Sequence, residues 1–317
     1  MQPQQYQIAV QDGVNLAATL FESGRTPSKA IILHGATGVP QSYYAKFAGW
    51  LAARENACVV TYDYRDTGAS ATGHIRASPA TMTNWGVDDQ SAALDWLRAR
   101  HADVPLWAIG HSLGGMFLTS HPGADQIERA VIVAAGPAFW TDHPLALMPQ
   151  IVAFWWLIGP LTTALFGYLP GRMLGLGADL PGGVYWQWRR WCLSRDFYKV
   201  DIGSALPEPV PSRLTCPLRI VGIEDDPMIP PRVAASIAQF YTHAQIEQRV
   251  LSPSDMGASA IGHLSLFAEH NAACCWPRLL DRQSAPKPSQ LLATGTPTDR
   301  LAAKRADRTP WCPRGSH

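Results

Sequence analysis

Apolar residues in this chain gather in short, nearly uninterrupted runs: QYQIAV, VNLAATLF, AIILHG, CVVTYDY, LWAIG and AVIVAAG. Segments near Tyr43–Arg54 and Trp85–Arg100 lie between these runs, with apolar positions recurring at helical spacing. Continuous apolar strands separated by amphipathic helices predict a mostly parallel sheet with helices on both faces. After Gly136 the rhythm breaks for about seventy residues, then resumes at Pro217 with LRIVGIEDD, a helix near Arg232–Tyr241, and QIEQRVLS. Ligands on sheets of this kind sit beyond the carboxyl ends of the strands, so the loops that follow each run are where chemistry is expected.

One such loop is Gly110-His111-Ser112-Leu113-Gly114, which follows LWAIG and precedes a run, Leu113–Leu118, able to begin a helix. A strand that reverses at once into a helix forces the central residue into a strained conformation, and small neighbours let the two backbones approach. This is the pattern of a nucleophile elbow with Ser112 at its tip. A serine hydroxyl needs a base to take its proton, and the resulting imidazolium needs a carboxylate. Both are expected later in the chain, after late strands.

LRIVG ends in Glu224-Asp225-Asp226-Pro227, and QIEQRVLS leads to Ile261-Gly262-His263-Leu264. Asp226 is the expected acid, with Asp225, one residue away, as the alternative. His263 is the expected base, because His270 lies on the helical run LSLFAEH and should be displaced from the strand end. A developing oxyanion needs two preorganised donors. The Leu113 N–H, after the elbow, is one. The Ala36 N–H, in the turn His34-Gly35-Ala36-Thr37-Gly38, is the other. His34 itself is read as organising that loop, and His111 as packing.

Composition narrows the partners. The 317 residues carry 26 basic and 25 acidic side chains, and no basic patch argues for nucleic acid. No histidine or cysteine spacing suggests a metal, and no cofactor is expected. Six cysteines without a C-x-x-C pair, and an N-terminus without a signal peptide's pattern, point to a cytoplasmic protein with reduced thiols.

Residues 137–207 hold six of the twelve tryptophans and are read as a helical cap over the strand ends, flanked by a core of residues 1–136 and 208–280. Trp140, Trp155, Trp156 and Trp186 are its candidate substrate-binding rings. Residues 144–171 contain no charge and are long enough to cross a bilayer, but a span there would put Ser112 and His263 on opposite sides. The segment is therefore read as part of the cap, with lipid contact left open. Residues 281–317 lack periodicity and are expected to be a disordered tail.

The segments HGATGVPQSYY (34–44), YDYRDTGAS (62–70), GHSLGG (110–115), WRRWC (188–192), DDPMIP (225–230) and IGH (261–263) together resemble the α/β-hydrolase superfamily. Over roughly residues 5–280 the chain looks like the bacterial predicted α/β hydrolases of the serine aminopeptidase-like and monoacylglycerol-lipase-like group. The resemblance implies an eight-stranded, mostly parallel sheet with a helical cap after the sixth strand. It also implies Ser112 as nucleophile, Asp226 as acid and His263 as base. Relatives usually carry glycine where this chain has Asp66, a departure from the pattern that leaves the shape of this loop to be found. The function expected is hydrolysis of an uncharged carboxylic ester. Lactone hydrolysis (including acyl-lactones), peptidase or amidase action, and acyl transfer are the alternatives on the same residues, and a non-catalytic binding protein is the alternative of another class.

Overall fold

A computed structural model describes residues 2–281, and the residues up to Leu279 form one compact unit. Of the expected tail, all but Asp281 lies outside the described residues. Ten strands follow in chain order: β1 (Gln4–Ala9), β2 (Asn15–Glu22), β3 (Lys29–His34), β4 (Ala57–Tyr62), β5 (Leu106–His111), β6 (Ile127–Val133), β7 (Tyr168–Leu169), β8 (Leu180–Pro181), β9 (Pro217–Ile223) and β10 (Gln245–Leu251). Eight make one sheet in the order β1-β2-β4-β3-β5-β6-β9-β10, and β7 pairs with β8 in a separate short ribbon. β2 runs antiparallel to both β1 and β4, and every other pairing in the large sheet is parallel.

Burial explains why the apolar runs are continuous. Every residue of β4 is buried, as are all but the first of β3 and β9, because helices cover both faces. β10, at the sheet edge, is largely exposed and reads as a more polar strand. α1 (Ala45–Glu55) and α2 (Gln90–Arg100) lie where the periodicity predicts them, α2 extending a π-turn over Asn84–Asp89. The insertion between β6 and β9 carries α3 (Met148–Ala153), α4 (Gly159–Phe166), α5 (Gly171–Leu174) and α6 (Gly182–Cys192), while α7 (Pro231–Ser236), α8 (Pro253–Met256) and α9 (Ala272–Leu280) follow β9.

Three segments depart from the helices expected. After Ser112 the chain makes two separate 3-10 turns, Ser112–Gly115 and Leu118–Ser120, and Pro122 stops any continuation. The LSLFAEH run likewise makes two 3-10 turns, Ser265–Phe267 and Glu269–Asn271. Beyond β9, α7 tightens into a 3-10 turn at Ile237–Phe240.

The insertion does not bury a core of its own. Trp155, Val184, Tyr185 and Trp191 belong to the same buried cluster as Ile32 and Ala108 of the sheet. Gln187 ties α6 to the rest of the molecule, accepting from the Thr83 N–H at 2.9 Å and donating to the Thr83 hydroxyl at 2.9 Å. The WRRWC run explains itself here: Trp191 Nε1 donates to the buried Asp201 carboxylate at 2.7 Å, and Arg190 pairs with that carboxylate at 3.0 Å.

Arg189 has a different task. α3, a π-turn over Phe154–Ile158 and α4 form one helical run with Pro160 inside it. Proline has no N–H to give, and its ring crowds the preceding turn, so the helix widens. The Gly159 N–H reaches back to Phe154, and Arg189 Nε supplies the donor to the Trp155 carbonyl at 2.7 Å. Removing that donor beside the buried Trp155 should cost about 1–3 kcal/mol. Arg189→Met is therefore expected to unfold at a lower urea midpoint than wild type, and an unchanged midpoint would mean that the widened helix does not depend on this clasp.

Candidate active site

Ser112 occupies the expected turn at the carboxyl end of β5 with φ +52°, the left-handed region that L-residues seldom adopt. The turn closes because two glycines accept backbone contact. A Cβ at Gly114 would stand 2.1 Å from the His34 carbonyl oxygen, and one at Gly110 would stand 2.4 Å from the Gly114 carbonyl oxygen. β3 and the elbow thus touch through backbone, which sets the His34–Gly38 turn beside Ser112.

Asp226 and Asp225, adjacent at the end of β9, have separate tasks. Asp226 is buried. Its Oδ2 lies 2.8 Å from His263 Nδ1, and its Oδ1 accepts the N–H groups of Met228 and Ile229 at 2.8 and 2.9 Å. Asp225 instead accepts the N–H groups of Ile261 and Gly262, both at 2.9 Å, and so holds the loop that carries the histidine. Gly262 has φ +57°, a conformation that suits glycine immediately before His263. His270 is exposed and stands apart from this arrangement.

Sequence reasoning assigned His111 to packing, but the structure gives it more. Its ring is 5.2 Å from that of His263, its Nε2 lies 2.9 Å from the His263 carbonyl oxygen, and its Nδ1 lies 2.8 Å from the Tyr44 hydroxyl. A carbonyl can only accept, so Nε2 carries the proton, and Tyr44 donates to Nδ1. The Tyr44 oxygen then accepts the Ala36 N–H at 2.9 Å. Ala36 was expected to offer that N–H to an oxyanion, and here it is engaged by Tyr44 instead. Tyr44 was not legible as a site residue, because its reach depends on the 3-10 turn Gln41–Tyr44. The Leu113 N–H lies in the first turn after the elbow, where helical donors lack an intrahelical partner.

The remaining expected residues separate. Among the described residues no hydrogen bond joins Ser112 to His263, a contact that often tightens only when substrate is bound. Trp155 is 3 % exposed and packs against Phe154, Tyr185 and Trp188, which makes it core rather than pocket wall. Trp156 and Trp186 are exposed, and half-buried Trp140 meets Trp156 edge-on at 4.9 Å. Two surface depressions, one over Thr19, Gln41 and Asp63 and one over Gly222 and Gln248, are lined by neither Ser112 nor His263. Asp66 keeps the backbone shape that a glycine would give, with φ +62°, and its carboxylate accepts the Ser78 hydroxyl at 2.5 Å. Aspartate is among the residues that tolerate that region.

Burial holds the neighbouring histidines neutral. It pushes His111 down to about 3 and His121 down to about 4, and drives His34 well below its ordinary value. In the unfolded chain each titrates near 6.5, so below that pH the unfolded state binds more protons than the folded one. Their contribution is complete above about pH 6.5 and falls as pH drops toward about 4, by up to about 1.4 kcal/mol per pH unit for each histidine. Thermal midpoints should therefore decline between pH 6.5 and 5, although buried Asp89, raised to about 7, binds a proton on folding and offsets one of the three histidines; a midpoint that rises across that range would overturn the account. At the elbow, Gly114→Ala should lose at least about 2 kcal/mol of stability and nearly all activity, since its methyl would force β3 and the turn apart. A variant of wild-type stability would mean that the crossing is looser than 2.1 Å implies.

The sequence model of the alpha/beta hydrolase family matches residues 30–275, most of the chain. No curated protein sequence is similar enough to match. Among solved structures, a soluble variant of monoglyceride lipase from Saccharomyces cerevisiae, in complex with a substrate analog, superposes with a TM-score of 0.60 at 14 % identity, covering 88 % of this chain and 94 % of that one. A thermostable carboxyl esterase from Bacillus coagulans gives 0.57 at 11 % identity over 86 % and 94 %. A thermophilic esterase from Thermogutta terrifontis gives 0.52 at 15 % over 87 % and 97 %. At such identities these likenesses speak for the fold. With the sheet order, the elbow and the matched length in agreement, the chain belongs to the alpha/beta hydrolase family.

Proposed function

We propose that this hydrolase cleaves an uncharged carboxylic ester through an acyl-enzyme on Ser112. The observation that carries the reading is the left-handed Ser112 at the elbow together with a His263 whose Nδ1 is held 2.8 Å from the buried Asp226. With Nδ1–H donating to Asp226, the Nε2 of His263 is the lone-pair nitrogen and can take the Ser112 proton as Oγ attacks the ester carbonyl. The proton then passes to the departing alkoxide, which leaves as an alcohol. A water, deprotonated by the same nitrogen, attacks the acyl-enzyme, releases the acid and restores the serine.

The oxyanion would accept the Leu113 N–H, and the Ala36 N–H once substrate displaces the Tyr44 oxygen from it. Residues 137–207 act in this reading as the cap, with Trp140 and Trp186 as the rings able to meet an apolar group, Trp155 holding the cap together and Trp156 turned outward. Lipase and esterase neighbours, and an insertion rich in apolar side chains, favour an uncharged acyl group over a charged one. The described cysteines 58, 192, 216, 274 and 275 are free thiols, in keeping with a cytoplasmic location.

The experiment is covalent labelling with a fluorophosphonate, read by intact mass, followed by turnover of chromogenic esters of increasing acyl length. Wild type should gain one adduct and turn over, and Ser112→Ala should do neither. Asp226→Asn should retain less than about a thousandth of wild-type kcat, because the histidine tautomer is lost. Asp225→Asn should mainly lose stability, by about 1–3 kcal/mol, through its loop contacts. Equal losses of kcat in the two variants, or labelling of Ser112→Ala, would overturn the assignment.

A further inference from the structure

The helical run Leu145–Phe166 has 22 residues, and only 11 % of its most apolar stretch is buried. A core helix of that composition would be mostly covered. Here Leu145, Leu157, Leu161 and Leu165 are 57–87 % exposed, and Val152, Trp156 and Ile158 are exposed with them. The widened turn explains how they line up: Val152, Trp156, Leu161 and Leu165 are spaced by four, five and four residues, and the π-turn at Phe154–Ile158 absorbs the extra one. Thr162, beside this stripe, turns its hydroxyl back to the Ile158 carbonyl at 2.7 Å and so makes no demand on water. Just beyond the helix in the chain, Met173 and Leu176 are exposed as well.

The opposite face is taken. Trp155, Gly159 and Thr163 are buried, and a Cβ at Gly159 would stand 2.2 Å from the Tyr185 hydroxyl oxygen. At about 33 Å the run is long enough to cross a bilayer, but crossing would strip Tyr185 and Trp188 of their cover. A helix with one face packed on protein and the other apolar is suited to lying in the membrane interface.

Charge indicates the kind of surface. Arg76 crosses the end of the helix, its side chain so close that a Cβ at Gly167 would meet Arg76 Cγ at 2.8 Å. The guanidinium of Arg172 follows, its side chain 78 % exposed, and the carboxylate beside it is Asp179, 4.0 Å away and already accepting the Arg172 backbone N–H. Two exposed guanidiniums thus stand at this end, one of them beside Asp179, while the nearby Asp66 is turned to the Ser78 hydroxyl. In a second copy of the chain packed head to tail on the same stripe, Asp142, near the other end, is already held by Arg232 at 2.8 Å.

We infer that this face docks on an anionic lipid bilayer, with the helix in the plane of the surface. The leucines lie at the acyl boundary, Trp156 at headgroup level, and Arg76 and Arg172 among the phosphates. The contact does not need the serine chemistry.

The test is flotation of the full chain with phosphatidylcholine vesicles and with phosphatidylcholine–phosphatidylglycerol vesicles, using wild type, Ser112→Ala, the double variant Leu161→Glu/Leu165→Glu and the double variant Arg76→Gln/Arg172→Gln. Wild type and Ser112→Ala should float alike with the anionic vesicles. The leucine variant should lose at least about tenfold of the bound fraction, because two charges would have to enter the acyl boundary. The arginine variant should lose most of the preference for anionic over neutral vesicles. If the leucine variant does not fold, as judged by its thermal midpoint, Leu161→Ser/Leu165→Ser replaces it with the same direction expected. Wild type that stays unbound with both vesicles overturns the inference, as does an undiminished leucine variant. A lipid-insensitive dimer in sedimentation velocity that Leu165→Glu converts to monomer overturns it too, and assigns the face to a second copy.

Discussion

Everything at the candidate site hangs on one steric fact: the elbow and β3 are in backbone contact. With no side chain at Gly114, the His34 carbonyl can sit where a methyl would be, and with none at Gly110 the turn can fold back on its own strand. Ser112 meanwhile holds a left-handed backbone that the surrounding structure must impose. Those three conditions bring the nucleophile, the His34–Gly38 turn and the end of β5 to one place before any side-chain hydrogen bond is considered. The parallel pairing of β5 with both β3 and β6 fixes the strands between which the turn is held.

Around that crossing the polar groups form a directed chain. Reading from the donor end, Ala36 gives its N–H to Tyr44, Tyr44 gives its hydrogen to His111, and His111 gives its own to the His263 carbonyl. Each link has a single direction, because the chain begins at a backbone donor and ends at a backbone acceptor. Burial keeps His111 neutral and raises Tyr44 well above its usual value, so neither changes protonation near neutral pH. The loop bearing the histidine is thus held twice, by this chain on one side and by Asp225 on the other.

Much of this was legible in the sequence, and the boundary of legibility has a physical explanation. Strands buried on both faces leave unbroken apolar runs, so β3, β4, β5 and β9 could be read directly, and residues just beyond their ends were the natural places to look for Ser112 and Asp226. Asp226 was preferred to Asp225 for its place before the turn at Pro227, but the separate task of Asp225 was not legible, since one residue of register decides which carboxylate turns toward His263 and which toward the loop N–H groups. Tyr44 escaped notice because its hydroxyl reaches Ala36 and His111 only through the fold, while its sequence neighbours suggest an ordinary helix start. The four tryptophans could be grouped by composition but not sorted, and only packing shows Trp155 to be covered while Trp156 faces outward. Helices at Leu113 and Leu264 were expected from local propensity; both segments make 3-10 turns, and at the first of them glycine contacts and Pro122 account for the shortening.

The clasp between Arg189 and the Trp155 carbonyl carries a mechanical consequence. The outer helix is joined to α6 at its widened turn, and two residues earlier α6 is joined through Gln187 to Thr83, immediately before the π-turn that leads into α2. A load applied to the outer helix therefore has a short, stiff route into the layer that packs on the sheet, so the insertion is coupled to the core like a lever through two pins rather than draped over it.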